Sequence, residues 1–285
     1  MTIAAAYAEC EARARSHYEN FPIGSWLLPR RLRRDLAAVY AFARLGDDLA
    51  DEGELAAAER LARLDALEER LLACAADPDA ASEPVLLALG HTIARHALPI
   101  APFRDLLVAF RRDAAGETRR FATFADVLAY CRCSANPVGR IVLGLFGHRD
   151  EARAARADEV CTALQLANFW QDVRGDLVER DRVYLPAEDL DRFPGSRDAL
   201  ASGVMTPGFR DCLAFEVART RELFARGLGL TELVTGRLRR EVRLFAHGGL
   251  AILDRIEAHD YDVLTQRPRL RRGDLARLVW KELWR

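Results

Sequence analysis

Apolar residues recur along this chain at intervals of three and four, and the two-residue alternation of a half-buried strand is nearly absent. The pattern predicts helix almost throughout. Pro29 can sit in the first turn of a helix running to about Asp51, because a first-turn residue needs no N–H partner. Further helices are predicted over Ala56–Cys74, Pro84–Arg95, Pro102–Ala114, Phe124–Phe146, Ala152–Leu177, Pro207–Leu228, Glu232–Thr265 and Asp274–Leu283. Pro137 should kink or break the Phe124–Phe146 segment, since it removes a helix hydrogen bond and crowds the preceding turn. Asp77-Pro78-Asp79, Gly147–Glu151 and Pro194-Gly195-Ser196 read as connections. No repeat, linker or compositional boundary divides the chain, so one all-α domain over 1–285 is expected.

Composition narrows the class. With 285 residues, half of them hydrophobic and 30% charged, the chain can bury a sizeable core without staples and reads as soluble and globular. Its net charge of −1 gives no global field toward nucleic acid, which argues against such a partner. Lys281 is the only lysine, so the basic charge is almost entirely arginine, whose planar fork suits phosphate. Glu9 and Glu11 interrupt what a signal peptide would need, and Arg140 interrupts the best apolar run. Cys131 and Cys133 form a lone C-x-C without a second pair, which speaks against zinc. The expectation is a cytoplasmic protein with six reduced thiols.

Two polar segments stand out from this background. In Tyr40-Ala-Phe-Ala-Arg44-Leu-Gly-Asp47-Asp48-Leu-Ala-Asp51, helical geometry places Tyr40, Arg44, Asp47 and Asp51 within roughly 60° of one another. Asp47 and Asp51 form a like-charge pair one turn apart, flanked by Val39, Phe42, Leu45 and Leu49. Two carboxylates about 6 Å apart would repel by roughly 3 kcal/mol at an effective dielectric near 20. A divalent cation with oxygen ligands would offset that, although a solvated acidic helix end has the same pattern. The second segment places Gln165, Asn168, Asp172 and Asp176 within roughly 80° of one predicted helix face that also carries Leu164, Leu166, Phe169 and Trp170. Two D-x-x-x-D elements far apart in sequence read as two jaws around hard cations, with phosphate and water completing the coordination. Arg44 shares the first acidic face, and Arg182 and Tyr184 follow closely enough to fold back over the second.

At these residues the chain resembles the squalene/phytoene synthase family. The resemblance runs from His17-Tyr18-Glu19-Asn20-Phe21, through both aspartate segments and Tyr130-Cys131, to Arg182-Val183-Tyr184-Leu185-Pro186 and Tyr261…Arg267. It implies a single-domain isoprenoid synthase fold with a central cavity. It further implies that Asp47, Asp51, Asn168, Asp172 and Asp176 hold Mg²⁺ (or Mn²⁺) around a prenyl diphosphate. Arg44, Arg182, Tyr184 and Arg267 would contact the diphosphate, with Tyr18, Phe21, Tyr40 and Gln165 also on the substrate. The catalytic set so implied is Asp47, Asp51, Asp172, Asp176 and Tyr184.

Within the family, His-Tyr-Glu-Asn-Phe-Pro, Ser134-Ala-Asn136-Pro137-Val-Gly-Arg140 and Asn168-Phe-Trp-Gln-Asp-Val are most similar to the branch that serves bacterial hopanoid biosynthesis. That branch ionises presqualene diphosphate, rearranges the cation and lets water capture it as hydroxysqualene, without NADPH. The resemblance leaves open a head-to-head condensing synthase, making presqualene diphosphate, squalene or phytoene. Within His247-Gly248-Gly249 a family tyrosine is missing, and Gly249 is expected to open space for water. At the C-terminus, Leu275, Leu278, Val279, Trp280, Leu283 and Trp284 alternate with Arg271, Arg272, Arg277, Lys281 and Arg285. Such a helix either packs on the core like any terminal helix or makes a peripheral contact with an anionic membrane. A homodimer is compatible with the sequence.

Overall fold

The computed structural model describes residues 1–16, 30–51, 53, 55–271, 273–274 and 280. Fourteen α-helices are found among them: α1 Ile3–Ser16, α2 Arg30–Asp51, α3 Ala57–Ala76, α4 Pro84–His96, α5 Ala101–Ala114, α6 Phe124–Ser134, α7 Asn136–Leu145, α8 Glu151–Gln171, α9 Val173–Arg180, α10 Ala187–Arg192, α11 Ser196–Ser202, α12 Pro207–Gly227, α13 Leu230–Leu233 and α14 Gly236–Ala258. Among the described residues there is no strand, only an isolated bridge between Arg120 and Val183. No described helix is long and apolar enough to cross a membrane.

The apolar periodicity predicts most of these helices, and the departures have local causes. The Phe124–Phe146 segment is indeed broken, with Pro137 in the first turn of α7. Thr123 and Asp126 cap α6 reciprocally, each side chain accepting from the other's backbone N–H, at 3.2 and 2.9 Å. The predicted helix Ala152–Leu177 is instead two, because Asp172 leaves helical geometry at φ −115°, ψ 20°. The predicted Glu232–Thr265 helix begins only at Gly236 and stops at Ala258, where Asp260 and Tyr261 take positive φ. Helices α1, α10 and α11 were not expected. The predicted Asp274–Leu283 helix lies almost entirely outside the described residues.

The described chain divides into two compact units, one formed by Met1–Glu117 with Pro137–Ala154 and the other by Thr118–Asn136 with Ala155–Arg285. In the first unit α1, α2 and α4 pack together, and α3 and α5 complete the bundle. Its core holds Phe42, Leu64, Leu67, Leu71, Leu89, Phe103 and Leu107, with Phe42 edge-on to Phe103 at 5.9 Å. Asp35 on α2 is fully buried yet paired, accepting from Arg95 at 2.7 Å and lying 2.9 Å from His96 Nε2.

In the second unit the buried Trp170 indole donates to Thr220 Oγ1 at 2.9 Å, tying α8 to α12. Arg219 bridges the buried carboxylates of Glu216 and Asp189 and stacks over Phe124 at 3.5 Å. Glu241 on α14 is buried, and among the described residues neither of its carboxylate oxygens is hydrogen-bonded.

Candidate active site

The first acidic segment is the last three turns of α2, a continuous helix. Arg44 reaches forward along its own helix to Asp47 (3.1 Å) and Asp48 (2.6 Å), so one guanidinium separates two carboxylates that would otherwise repel. Asp47 and Asp48 stay substantially solvent-accessible. Tyr40, half-buried one turn before Arg44, has its phenol pKa raised by burial, a shift that Arg44 opposes and Asp47 and Asp48 reinforce. Behind the carboxylates, Gly46 lets the ring of Phe110 on α5 approach closely. A Cβ at Gly46 would lie 2.6 Å from two ring carbons. The glycine thus seats the acidic turn directly on α5.

The second segment is built differently. Asn168 and Gln165 lie on α8, Asn168 exposed and Gln165 half-buried. The helix then breaks at Asp172, but the hydrogen-bond spacing survives, since the Asp172 N–H donates to the Asn168 carbonyl (3.1 Å) and the Asp176 N–H to the Asp172 carbonyl (2.9 Å). Asn168, Asp172 and Asp176 therefore remain one turn apart across a kink. Gly175 makes room for it, because a Cβ there would sit 2.5 Å from Asp172 Oδ1. Arg267 holds the other Asp172 oxygen at 2.8 Å. Burial first, and the negative charge of Asp172 second, raise the Asp176 carboxyl to about 6, against the pull of Arg180, Arg182 and Arg267.

Arg182 returns to the same place, as the sequence suggested. Its backbone N–H donates to the Asp176 carbonyl at 2.9 Å, closing the turn after α9, and its side chain is buried. Val183 is anchored by the Arg119 carbonyl at 2.9 Å. Tyr184 lies flat on Phe169, with ring centroids 3.6 Å apart, beside Phe121 and Tyr130. An apolar aromatic wall therefore adjoins the charged groups. Within this unit a cleft of about 280 Å³ is lined by residues that include Gln171, Asp172, Gly175, Leu264, Arg267 and Arg269. Arg269 is one that sequence reasoning missed, two residues beyond Arg267.

Other predicted positions fare unevenly. Tyr18 and Phe21 lie outside the described residues, as does the C-terminal amphipathic segment apart from Arg271 and Trp280. Gly249 opens no space. Its α-carbon abuts Phe224 and Leu164, so a Cβ would lie 2.4 Å from the Phe224 ring. The open position is its neighbour Gly248, where a Cβ would meet nothing within 4 Å. Asn136, singled out by its motif, is buried and accepts from the Thr162 hydroxyl at 2.8 Å.

Among the described residues no three His, Cys, Asp or Glu side chains gather into a protein-only metal centre. The donors come as carboxylate pairs, which suits a hard cation that takes its remaining ligands from phosphate and water. Burial first and Asp172 second disfavour the charged Asp176 carboxylate, and a bound cation would favour it.

All-helical architecture, paired aspartates on two helical segments and an arginine-lined cleft define an isoprenoid synthase fold, and the comparisons agree. The family model for squalene/phytoene synthase matches residues 14–274, and the chain belongs to that family. A hydroxysqualene synthase from Sinorhizobium fredii is 33% identical over 243 residues, covering 85% of this chain and 80% of the relative. A phytoene synthase from Thermus thermophilus is 35% identical over 268 residues, covering 94% and 89%. The crystal structure of squalene synthase HpnC from Alicyclobacillus acidocaldarius superposes with a TM-score of 0.85 at 43% identity, covering 91% of this chain and 96% of that one.

Proposed function

We propose that the protein is a magnesium-dependent hydroxysqualene synthase acting on presqualene diphosphate. One observation carries the reading: Asp172, Asp176, Arg182 and Arg267 converge on one kinked turn beside an aromatic wall. Such a site can hold a diphosphate and leave an apolar surface for what departs from it. Asp47 and Asp51 on α2, with Asn168, Asp172 and Asp176, would hold the metal. When bound, magnesium (or manganese) neutralises the charge that grows on the departing diphosphate. Arg182 and Arg267 would add fixed positive charge beside the second acidic segment, and Arg44 beside the first. The buried, stacked rings of Tyr184, Phe169 and Tyr130 would keep this side of the site dry.

The carbon–oxygen bond to diphosphate breaks with both electrons remaining on oxygen, and the cyclopropyl cation rearranges. Water then donates a lone pair to carbon and loses a proton, giving hydroxysqualene, diphosphate and H⁺. No hydride enters, so NADPH has no role. Similarity to the hydroxysqualene synthase favours this branch. The second reading, a head-to-head condensing synthase, is favoured by the extent of similarity to the Thermus thermophilus phytoene synthase.

Incubating the protein and Mg²⁺ with presqualene diphosphate in H₂¹⁸O, with and without NADPH, separates the two. Labelled alcohol at an NADPH-independent rate is expected. Unlabelled alcohol overturns water capture, and squalene formed only with NADPH makes the enzyme reductive. Consumption of farnesyl or geranylgeranyl diphosphate with none of presqualene diphosphate establishes the condensing branch.

A further inference from the structure

Arg60 lies on α3, outside both acidic segments, yet its side chain reaches the end of α2. Nη1 donates to the Ala50 carbonyl at 2.9 Å and to the Leu49 carbonyl at 3.4 Å. Nη2 donates to the Gly53 carbonyl at 2.6 Å, and Nε to the Leu55 carbonyl at 3.1 Å. Leu49 and Ala50 belong to the last turn of α2, whose terminal carbonyls have no N–H partner within the helix. Gly53, at φ +79°, is where the chain turns away toward α3. One planar fork therefore satisfies the end of α2 and the turn that follows it.

That end also carries Asp48 and, one turn after Asp47, Asp51. The negative pole of a helix is the least favourable place for carboxylates. Arg44 answers Asp47 and Asp48 from within α2, and Arg60 brings a second positive charge to the helix end. Lysine could place a charge there but could not span carbonyls six residues apart with one rigid group.

We propose that Arg60 is a positioning residue for the first acidic segment, fixing the last turn of α2 so that Asp47 and Asp51 face the same cation. The inference rests on the reading of those aspartates as metal ligands. It is tested by calorimetric titration of Mn²⁺ into the protein with inorganic diphosphate present, comparing wild type, Arg60→Met, Arg60→Lys, Asp51→Asn and Arg60→Met/Asp51→Asn. Thermal melts and far-ultraviolet circular dichroism monitor the fold of each.

Arg60→Met is expected to weaken Mn²⁺ binding about tenfold, as loss of a group that orients a ligand does, with Arg60→Lys intermediate. The double variant should bind no more weakly than Asp51→Asn alone, because Arg60 acts through the turn that presents that carboxylate. Unchanged binding in Arg60→Met, or strictly additive losses, overturns the inference. If Arg60→Met does not fold, wild-type affinity in Arg60→Lys does the same. Wild-type affinity in Asp51→Asn overturns the metal reading itself, and the Arg60 inference falls with it.

Discussion

The two acidic segments present similar carboxylates on scaffolds of opposite kind. On α2 they stand on an unbroken helix, accessible to solvent, and are steadied by cations supplied from Arg44 and Arg60. Between α8 and α9 they stand on a kink, more enclosed, with Gly175 vacating space for one and burial raising the other. An exposed cluster needs only counter-charge to be held in place. A buried one needs space cut into the backbone as well, and it retains electrostatic strain that a ligand can relieve. The difference indicates that the first segment is held by partners placed around an ordinary helix and the second by the shape of its own backbone.

The largest effect should come from removing a carboxylate on either side. Asp172→Ala and Asp47→Ala are each expected to lower turnover of presqualene diphosphate on the order of 10³-fold while leaving helicity intact. Near-normal turnover in either variant would remove that segment from the chemistry. Exhaustive chelation should abolish turnover of the wild type, and full activity afterwards would break the comparison at its root.

A sharper contrast lies in the two glycines. Gly175→Ala forces the Asp172 carboxylate aside, so turnover should fall roughly 100-fold, the usual penalty for a misplacement near 1 Å. Gly46→Ala drives a Cβ into the Phe110 ring from behind the acidic face. It should cost about 1–3 kcal/mol of stability, read by chemical denaturation, with a smaller change in turnover. If the two substitutions exchange their effects, the two ways of holding the segments have been assigned the wrong way round.

The smallest effect concerns buried carboxylates away from both segments, one in each unit. Asp35 in the first unit is paired with Arg95 and His96, whereas Glu241 in the second has no hydrogen-bond partner among the described residues, and burial pushes its pKa up to about 8. Folded Glu241 therefore keeps its proton where an unfolded glutamate, near 4.5, has lost it. The native state then binds more protons, so this group's contribution to stability falls as pH rises from about 4.5 to about 8 and levels off above. Glu241→Leu should remove that slope and raise stability at pH 9 by roughly 2 kcal/mol, whereas Asp35→Ala should lower it by about 3 kcal/mol. Urea denaturation at several pH values measures both, and a Glu241→Leu protein less stable at pH 9 would contradict the unpaired assignment.

Apolar spacing alone located α2, α3, α4, α5 and α12 to within a residue or two, because each presents one apolar stripe to one core. It failed on α1, whose buried face is made of Ala6, Tyr7 and Cys10 and is too weakly apolar to stand out. It also failed on the short α10 and α11. The candidate ligands Asp47, Asp51, Asn168, Asp172 and Asp176 were legible, since helical spacing of like charges is a property of sequence and needs no partner to be seen.

What the sequence determined is therefore the helical alphabet, the family, and which polar side chains lie one turn apart. The break at Asp172 was decided by tertiary structure, because its backbone angles are set by an oxygen lodged over Gly175 and by Arg267 arriving from far along the chain. The space expected at Gly249 does not exist, since Phe224 and Leu164 pack against that glycine and only packing determines whether a missing side chain leaves a void. Arg60 could not have been told apart from Arg63 or Arg70 on the same helix. One of the three meets the carbonyls of α2 and the others meet glutamates, because periodicity states what a residue can face and only the packed neighbour states what it does face.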